Sequence, residues 1–352
     1  MNNKINETLK AITQIDYKLM DAAQARLDSL TKPLGSLGRL EELAKLIVGI
    51  TGKENPQLKN KVIFTLAADH GVTAEGISAY PKEVTAQMVY NFLSKGAGIN
   101  VLADHVGARV IVVDIGVAAE FKPHPKLLIR KINYGTKNMA KGPAMERGEA
   151  EKAVCAGIEL FAGEFKHGIA IAGTGEMGIG NTTSASAITA CLTKRPPEEV
   201  TGKGAGLDAA GLKHKIAVIR DSLFANKPDP DDPIDVLSKV GGFEIAGLTG
   251  IILAAAAKKV PVVIDGFISG AAALAAFHLE PKVRDYMIAA HQSVESGHQV
   301  ILGHLGLKPL FNLDLRLGEG TGAALGIGLA DAAVKVLTQM ATFKSANVSE
   351  AE

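Results

Sequence analysis

The chain has 352 residues, 47% of them hydrophobic, with 38 glycines, enough for one large α/β domain or two medium ones around a sizeable core. Lys and Arg number 38 against 37 Asp and Glu, a formal charge of +1, so no basic excess exists to drive counterion release from a nucleic acid. Trp is absent and aromatics make up 5%, which argues against base-stacking platforms.

Cys155 and Cys191 are the only cysteines and lie in helix-like apolar contexts. They read as buried free thiols of a reducing compartment. The N-terminus, MNNKINETLKAITQID, lacks the basic-then-apolar pattern of a signal peptide. No apolar run approaches about 18 residues, and the most apolar stretch, GLTGIILAAAA, is too short to span a bilayer. The expectation is a cytoplasmic protein without a membrane or nucleic-acid partner.

Residues 1–50 read as helices alone, with apolar residues at helical spacing in Ile5, Leu9 and Ile12 and again in Leu40, Leu43 and Ile47. Between them, TKPLGSLGRLEELA breaks and restarts the helical pattern. From residue 61, β-branched runs alternate with helix-length segments: KVIFTLAAD, ARVIVVDIG, KLLIRKIN, KHGIAIAG, VPVVIDG, DYMIAAH and PLFNLDL. This alternation predicts βα units and a mainly parallel sheet. A last long helix, about 320–339, precedes a polar tail expected to fray.

What ends these strands is regular. Asp69-His70-Gly71, Asp114-Ile115-Gly116, Gly173-Thr174-Gly175-Glu176, Asp265-Gly266, His291-Gln292-Ser293 and Gly318-Glu319-Gly320 all join polar groups to flexible turns. Ligands of open α/β sheets bind at the carboxyl ends of strands, so six such ends favour one shared site over six independent turns. The role of Asp69 and His70 stays open, since such a pair also caps and turns a chain. The loop YGTKNMAKGPAME at 134–146 receives no assignment, and NKPDPDDPID at 226–235 reads as a proline-pinned surface loop.

Gly173, Gly175 and Gly178 fit G-x-G-x-x-G, with Glu176 inside the expected turn. A dinucleotide site also needs an acidic residue about 20 positions on, at a strand end. Glu198 and Glu199 lie in a proline break instead. Gly178, Gly180, Asn181, Thr182 and Thr183 suit a helix start that holds one phosphate, or a plain turn with an Asn/Thr cap. A second glycine cluster, TGKGAGLD, includes Gly204 and opens another helix. Lys215 follows, available to a phosphate or to solvent.

Glu319 lies between glycines in LDLRLGEGTGAALG, placed as a general base or as a carboxylate complementing a helix dipole. Arg316 can pair with a ligand anion or with Asp314. Ser293 can bond a ligand or cap the next helix. His291, His298 and His304 lack metal-ligand spacing, and neither a G-x-S-x-G elbow nor a Walker motif is present. No metal and no cofactor are expected.

Together TKPLGSLGRLEELA, AADHGV, GEMGIGNTTSASA, TGKGAGLD, DGFISGAAAL, AHQSVESGH and LDLRLGEGTGAAL resemble the nicotinate-nucleotide–dimethylbenzimidazole phosphoribosyltransferase family. The ordered match runs from about residue 30 to 335. The resemblance implies a Rossmann-like, mainly parallel sheet with helices on both faces, in a large catalytic domain of residues 61–330. It also implies a small helical domain of residues 1–60, completed by the C-terminal helix (about 330–352), and a homodimer. The implied reaction moves phosphoribose from nicotinate mononucleotide to dimethylbenzimidazole, giving alpha-ribazole phosphate and nicotinate for the cobalamin lower ligand. Glu319 is the implied general base, and Glu176 is placed to stabilise charge on the ribose. Ser78 and Gln87 are implied walls of the base pocket, and Met177 and Leu317 its apolar faces. The motifs alone leave two other classes open, an NAD-type oxidoreductase and a passive nucleotide-binding module.

Overall fold

The computed structural model describes residues 1–204 and 206–349. Six strands form one parallel sheet: β1 (Lys61–Ala68), β2 (Ala108–Gly116), β3 (Leu127–Ile129), β4 (Ile171–Met177), β5 (Val262–Ile264) and β6 (Met287–Ala289). Their order is β3-β2-β1-β4-β5-β6, so the chain winds outward from β1, returns beside it at β4 and continues the other way. The switch point, where a crevice opens at the strand ends, lies between β1 and β4.

The side chains of β1 show why the sheet is covered on both faces. Val62, Phe64, Leu66 and Ala68 join one core, while Ile63 and Ala67 join a second, the two-residue alternation of a strand buried on both sides. The first core is closed by the helices Arg147–Phe165 and Phe243–Ala257. These approach closely, since a Cβ on Gly157 would lie 1.9 Å from the carbonyl oxygen of Gly247. The second core is closed by the helix Thr321–Gln339, against which Arg39–Thr51 lies. Ile5 and Ile12 of the N-terminal segment join the first core, whereas Leu27, Leu43 and Ile47 join the second.

Three features differ from the sequence reading. PLFNLDL is no strand; it contributes a single bridge, His291 with Phe311. Pro309 lacks an N–H to donate, and Asp314 takes a positive φ of +54° that interrupts an extended run. The tail after residue 340 is tied down through residue 346: Leu30 bridges Thr342, and Phe343 N donates to the Ser29 carbonyl at 3.1 Å. A short helix, Phe343–Ala346, follows. Finally, Thr321–Gln339 is long and apolar enough to cross a membrane by length and composition, but its apolar residues lie against β1, β4 and β5.

Candidate active site

β4 runs to Met177, so Gly173, Gly175 and Glu176 belong to the strand, and the turn proper is Gly178–Gly180. The absence of a Cβ at 175 is what the site requires. A Cβ there would lie 2.2 Å from the carbonyl oxygen of Glu319, so the loop carrying Glu319 rests on the strand. That loop is irregular from 312 to 318, not a strand-to-helix turn. Glu319 itself has φ +62°, a conformation that is costly for a residue with a side chain.

Three contacts hold it there. Thr65 Oγ1 donates to the Glu319 carbonyl at 3.0 Å. Asp265, at the end of β5, accepts from Gly320 N at 3.2 Å and Ala323 N at 2.9 Å, capping the helix behind the glutamate. Burial pushes the Asp265 carboxyl up to about 7 despite these donors. The Glu319 carboxylate is buried; its Oε2 accepts from Ile99 N at 3.0 Å. Oε1 has no hydrogen-bond partner among the described residues. Burial moves this carboxyl above its usual range, toward the basicity a general base needs near neutrality.

Glu176 comes from the neighbouring strand end. Its Oε1 lies where a Cβ on Gly318 would approach to 2.3 Å, so Gly318 leaves room for the two glutamates to share one pocket. Asn181 Nδ2 donates to Glu176 Oε2, which uses an amide that the sequence reading offered to a phosphate. Burial, with Asp265 and Glu244 nearby, pushes the Glu176 carboxyl up to about 8.

The turn after β4 and the loop 201–204 meet at Lys215. Gly180 has φ +92°, and it begins the helix Asn181–Thr193 without a side-chain cap. Gly178 lies against β1, where a Cβ would be 2.5 Å from the Ala68 carbonyl. Thr182 Oγ1 accepts from Lys215 Nζ at 2.7 Å, and Thr183 Oγ1 is buried with no partner among the described residues. Lys215 is buried, not solvated, and burial lowers its ammonium to about 8 against the pull of Glu295. Gly204 N donates to Glu295 Oε1 at 3.0 Å. Ser293 is buried beside it, its Oγ accepting from Glu295 N at 3.4 Å. Glycine turns, hydroxyls and one desolvated ammonium form a cradle suited to a single phosphate.

The remaining residues are more dispersed. Ser78 lines a cavity of about 700 Å³ with Asp69, His70, Tyr80 and Tyr134. Gln87 is exposed on the helix Val84–Leu93. Thr85 of that helix accepts from Ile179 N at 3.1 Å, which seats it on the turn after β4. Met177 is half-buried, Leu317 exposed, and Leu317 Cδ2 lies 2.9 Å from where a Cβ on Gly98 would be. Arg316 is exposed and forms no ion pair among the described residues, so it does not meet Asp314. The unassigned loop 134–146 covers the end of β1, with Thr136 N donating to the Asp69 carbonyl at 3.0 Å. No group of three metal-ligating side chains occurs among the described residues.

A family model described as phosphoribosyltransferase matches residues 12–348. The chain belongs to this phosphoribosyltransferase family. It is 58% identical over 348 residues, 99% of both chains, to the nicotinate-nucleotide–dimethylbenzimidazole phosphoribosyltransferase of Desulforudis audaxviator. The enzyme of the same name from Geobacter sulfurreducens is 57% identical over 99% of both chains. The crystal structure of the Thermus thermophilus enzyme superposes with a TM-score of 0.91 at 44% identity, covering 96% of this chain and all of that one.

Several members of this phosphoribosyltransferase's site escaped the sequence reading. Glu295 carried no signal beyond its place in AHQSVESGH. Thr65 and Glu244 each lie inside an apolar run, where spacing gives no hint that they face a site. Asp265 was visible only as one strand end among six.

Proposed function

We propose that this chain transfers the phosphoribosyl group of nicotinate mononucleotide to dimethylbenzimidazole, with Glu319 as general base. The observation that carries the reading is the meeting of Glu176 and Glu319 across Gly175 and Gly318, beside a cradle for one phosphate. A passive nucleotide site gains nothing from two added buried carboxylates. The second half of a dinucleotide site is also missing.

The phosphate seats against the turn 178–183, Gly204 and Lys215, and fixes the ribose over the strand ends. The nicotinate ring nitrogen is cationic in the nucleotide. As the C1′–N bond breaks, its electron pair returns to the ring and nicotinate leaves without needing a proton. Positive charge then grows on the ribose, as in glycoside hydrolysis. Ionised Glu176 stabilises that charge more in the transition state than in the ground state. The substrate's own cation favours this ionised form.

One benzimidazole nitrogen forms the new bond to C1′ from the opposite face, so a beta-linked substrate yields alpha-ribazole phosphate. The other nitrogen gives up its proton to Glu319, and the product stays neutral. Ser78, Gln87, Met177 and Leu317 are proposed to line the ring's site. We also propose a homodimer, supported by the family resemblance, and a cytoplasmic location, supported by the two free cysteines.

The test is to incubate the protein with both substrates, without added metal, and separate the products. Equal amounts of nicotinate and alpha-ribazole phosphate are expected. Nucleotide binding without nicotinate release would overturn the reading.

A further inference from the structure

His70, at the end of β1, is buried beneath the turn after β4. Its Nε2 lies 2.7 Å from Glu244 Oε1 and its Nδ1 3.0 Å from Ser184 Oγ, and neither the His70 nor the Glu244 side chain has any exposure. Ser184 Oγ also lies 3.2 Å from the Gly241 carbonyl. A carbonyl only accepts, so with the single hydroxyl proton of Ser184 directed there, Ser184 accepts from His70 Nδ1–H. A second proton then lies between Nε2 and Glu244, because two bare acceptors would repel at that distance. The pair is neutral overall, whichever atom holds the proton.

The surroundings leave the ring one position. A Cβ on Gly242 would lie 2.3 Å from His70 Cε1, and one on Gly178 3.4 Å from the ring's Cδ2 and Nε2. Charged groups face the pair from each neighbouring element: Asp69 from the end of β1, Glu176 from β4, and Asp265 and Glu319 beyond it. Among the described residues no Lys or Arg forms an ion pair with Glu176, Glu244, Asp265 or Glu319.

We propose that His70 is a positioning residue that neutralises Glu244, leaving Glu176 as the carboxylate that ionises against the nucleotide. The inference rests on the role given to Glu176 above. Without the imidazole, Glu244 and Glu176 would compete for one proton, and the second ionisation would move up. Glu244 lies close enough to Glu176 for an uncompensated charge there to raise that carboxyl.

The test compares kcat/KM against pH for the wild-type protein, H70N and the double variant H70N/E244Q. The wild-type protein must first release nicotinate; failure there would sink the proposed function, not this inference alone. H70N is expected to move the rise in kcat/KM alkaline by about one pH unit or more. The double variant removes the stranded charge and is expected to return the rise toward its wild-type position. A purely structural role predicts no such rescue. An unshifted H70N profile, or a double variant displaced as far as H70N, would overturn the proposal. If H70N does not fold, ¹⁵N spectra of the wild-type His70 ring decide it. Nδ1 is expected to carry the proton that the Ser184 contact requires; a bare Nδ1 would contradict the charge count.

Discussion

Gly175 and Glu319 touch through their backbones: a Cβ on the glycine would lie 2.2 Å from the glutamate's carbonyl oxygen. The turn that carries Glu319 therefore lies directly on the strand that carries Glu176. Gly175→Ala should lift that turn by a fraction of an ångström to an ångström. Displacements of this size cost about 10²-fold in rate. The expected outcome is a folded protein by circular dichroism whose kcat falls by that order. An unchanged kcat would show that the contact does not position the base.

In this account the Glu176 carboxyl governs the pH dependence of the free enzyme. Its value of about 8 means that the ionised form gains population as pH rises through that value. Since ionised Glu176 is the active form in this account, kcat/KM for the nucleotide should climb between about pH 7 and about pH 9. A profile flat across that window would contradict the assignment. Lys215 limits the plateau from above, because its ammonium, lowered to about 8, loses charge as pH rises unless bound phosphate holds the proton.

The same carboxyl bears on stability. Its folded value of about 8 exceeds the 4.5 of an exposed glutamate, so in this window the folded chain keeps a proton that the unfolded chain releases. Stability from this group is present below about pH 4.5 and is lost as pH rises toward 8. Glu176→Gln cannot ionise and should lose less Tm than the wild type between about pH 5 and about pH 9. Equal slopes for the two proteins would show that burial does not perturb the group.

Lys215 makes a separate prediction about binding. Lys215→Met keeps the length and apolar contacts of the stem and removes the ammonium that faces Thr182 Oγ1 at 2.7 Å. KM for nicotinate mononucleotide should rise at least about tenfold, with a smaller change in kcat, as expected for loss of binding shared by ground and transition states. A KM within twofold of wild type would place the phosphate elsewhere.

The sheet was legible because its strands are continuous apolar runs separated by helix-length segments, the pattern of a parallel sheet buried on both faces. Glu176 and Glu319 could be found because each sits among glycines at the end of a patterned segment. Glu295, Glu244 and Thr65 could not. Their side chains meet the site through contacts distant in sequence, such as Thr65 with residue 319. Asn181 illustrates the opposite failure: its place in a phosphate-like turn was readable, but its bond to Glu176 depends on how the strand end folds back. Arg316, offered to a ligand anion or to Asp314, is exposed on a segment that forms no strand, and nearness in sequence did not bring it onto Asp314.

The most direct test of the account is the turnover of Glu319→Gln with nicotinate mononucleotide and dimethylbenzimidazole, measured by nicotinate release. Glutamine keeps the shape and the contact with Ile99 but cannot take the benzimidazole proton. The account predicts a kcat lower by about 10²-fold or more with KM for the nucleotide nearly unchanged. A kcat equal to wild type would mean that the proton leaves by another route and that Glu319 is not the base.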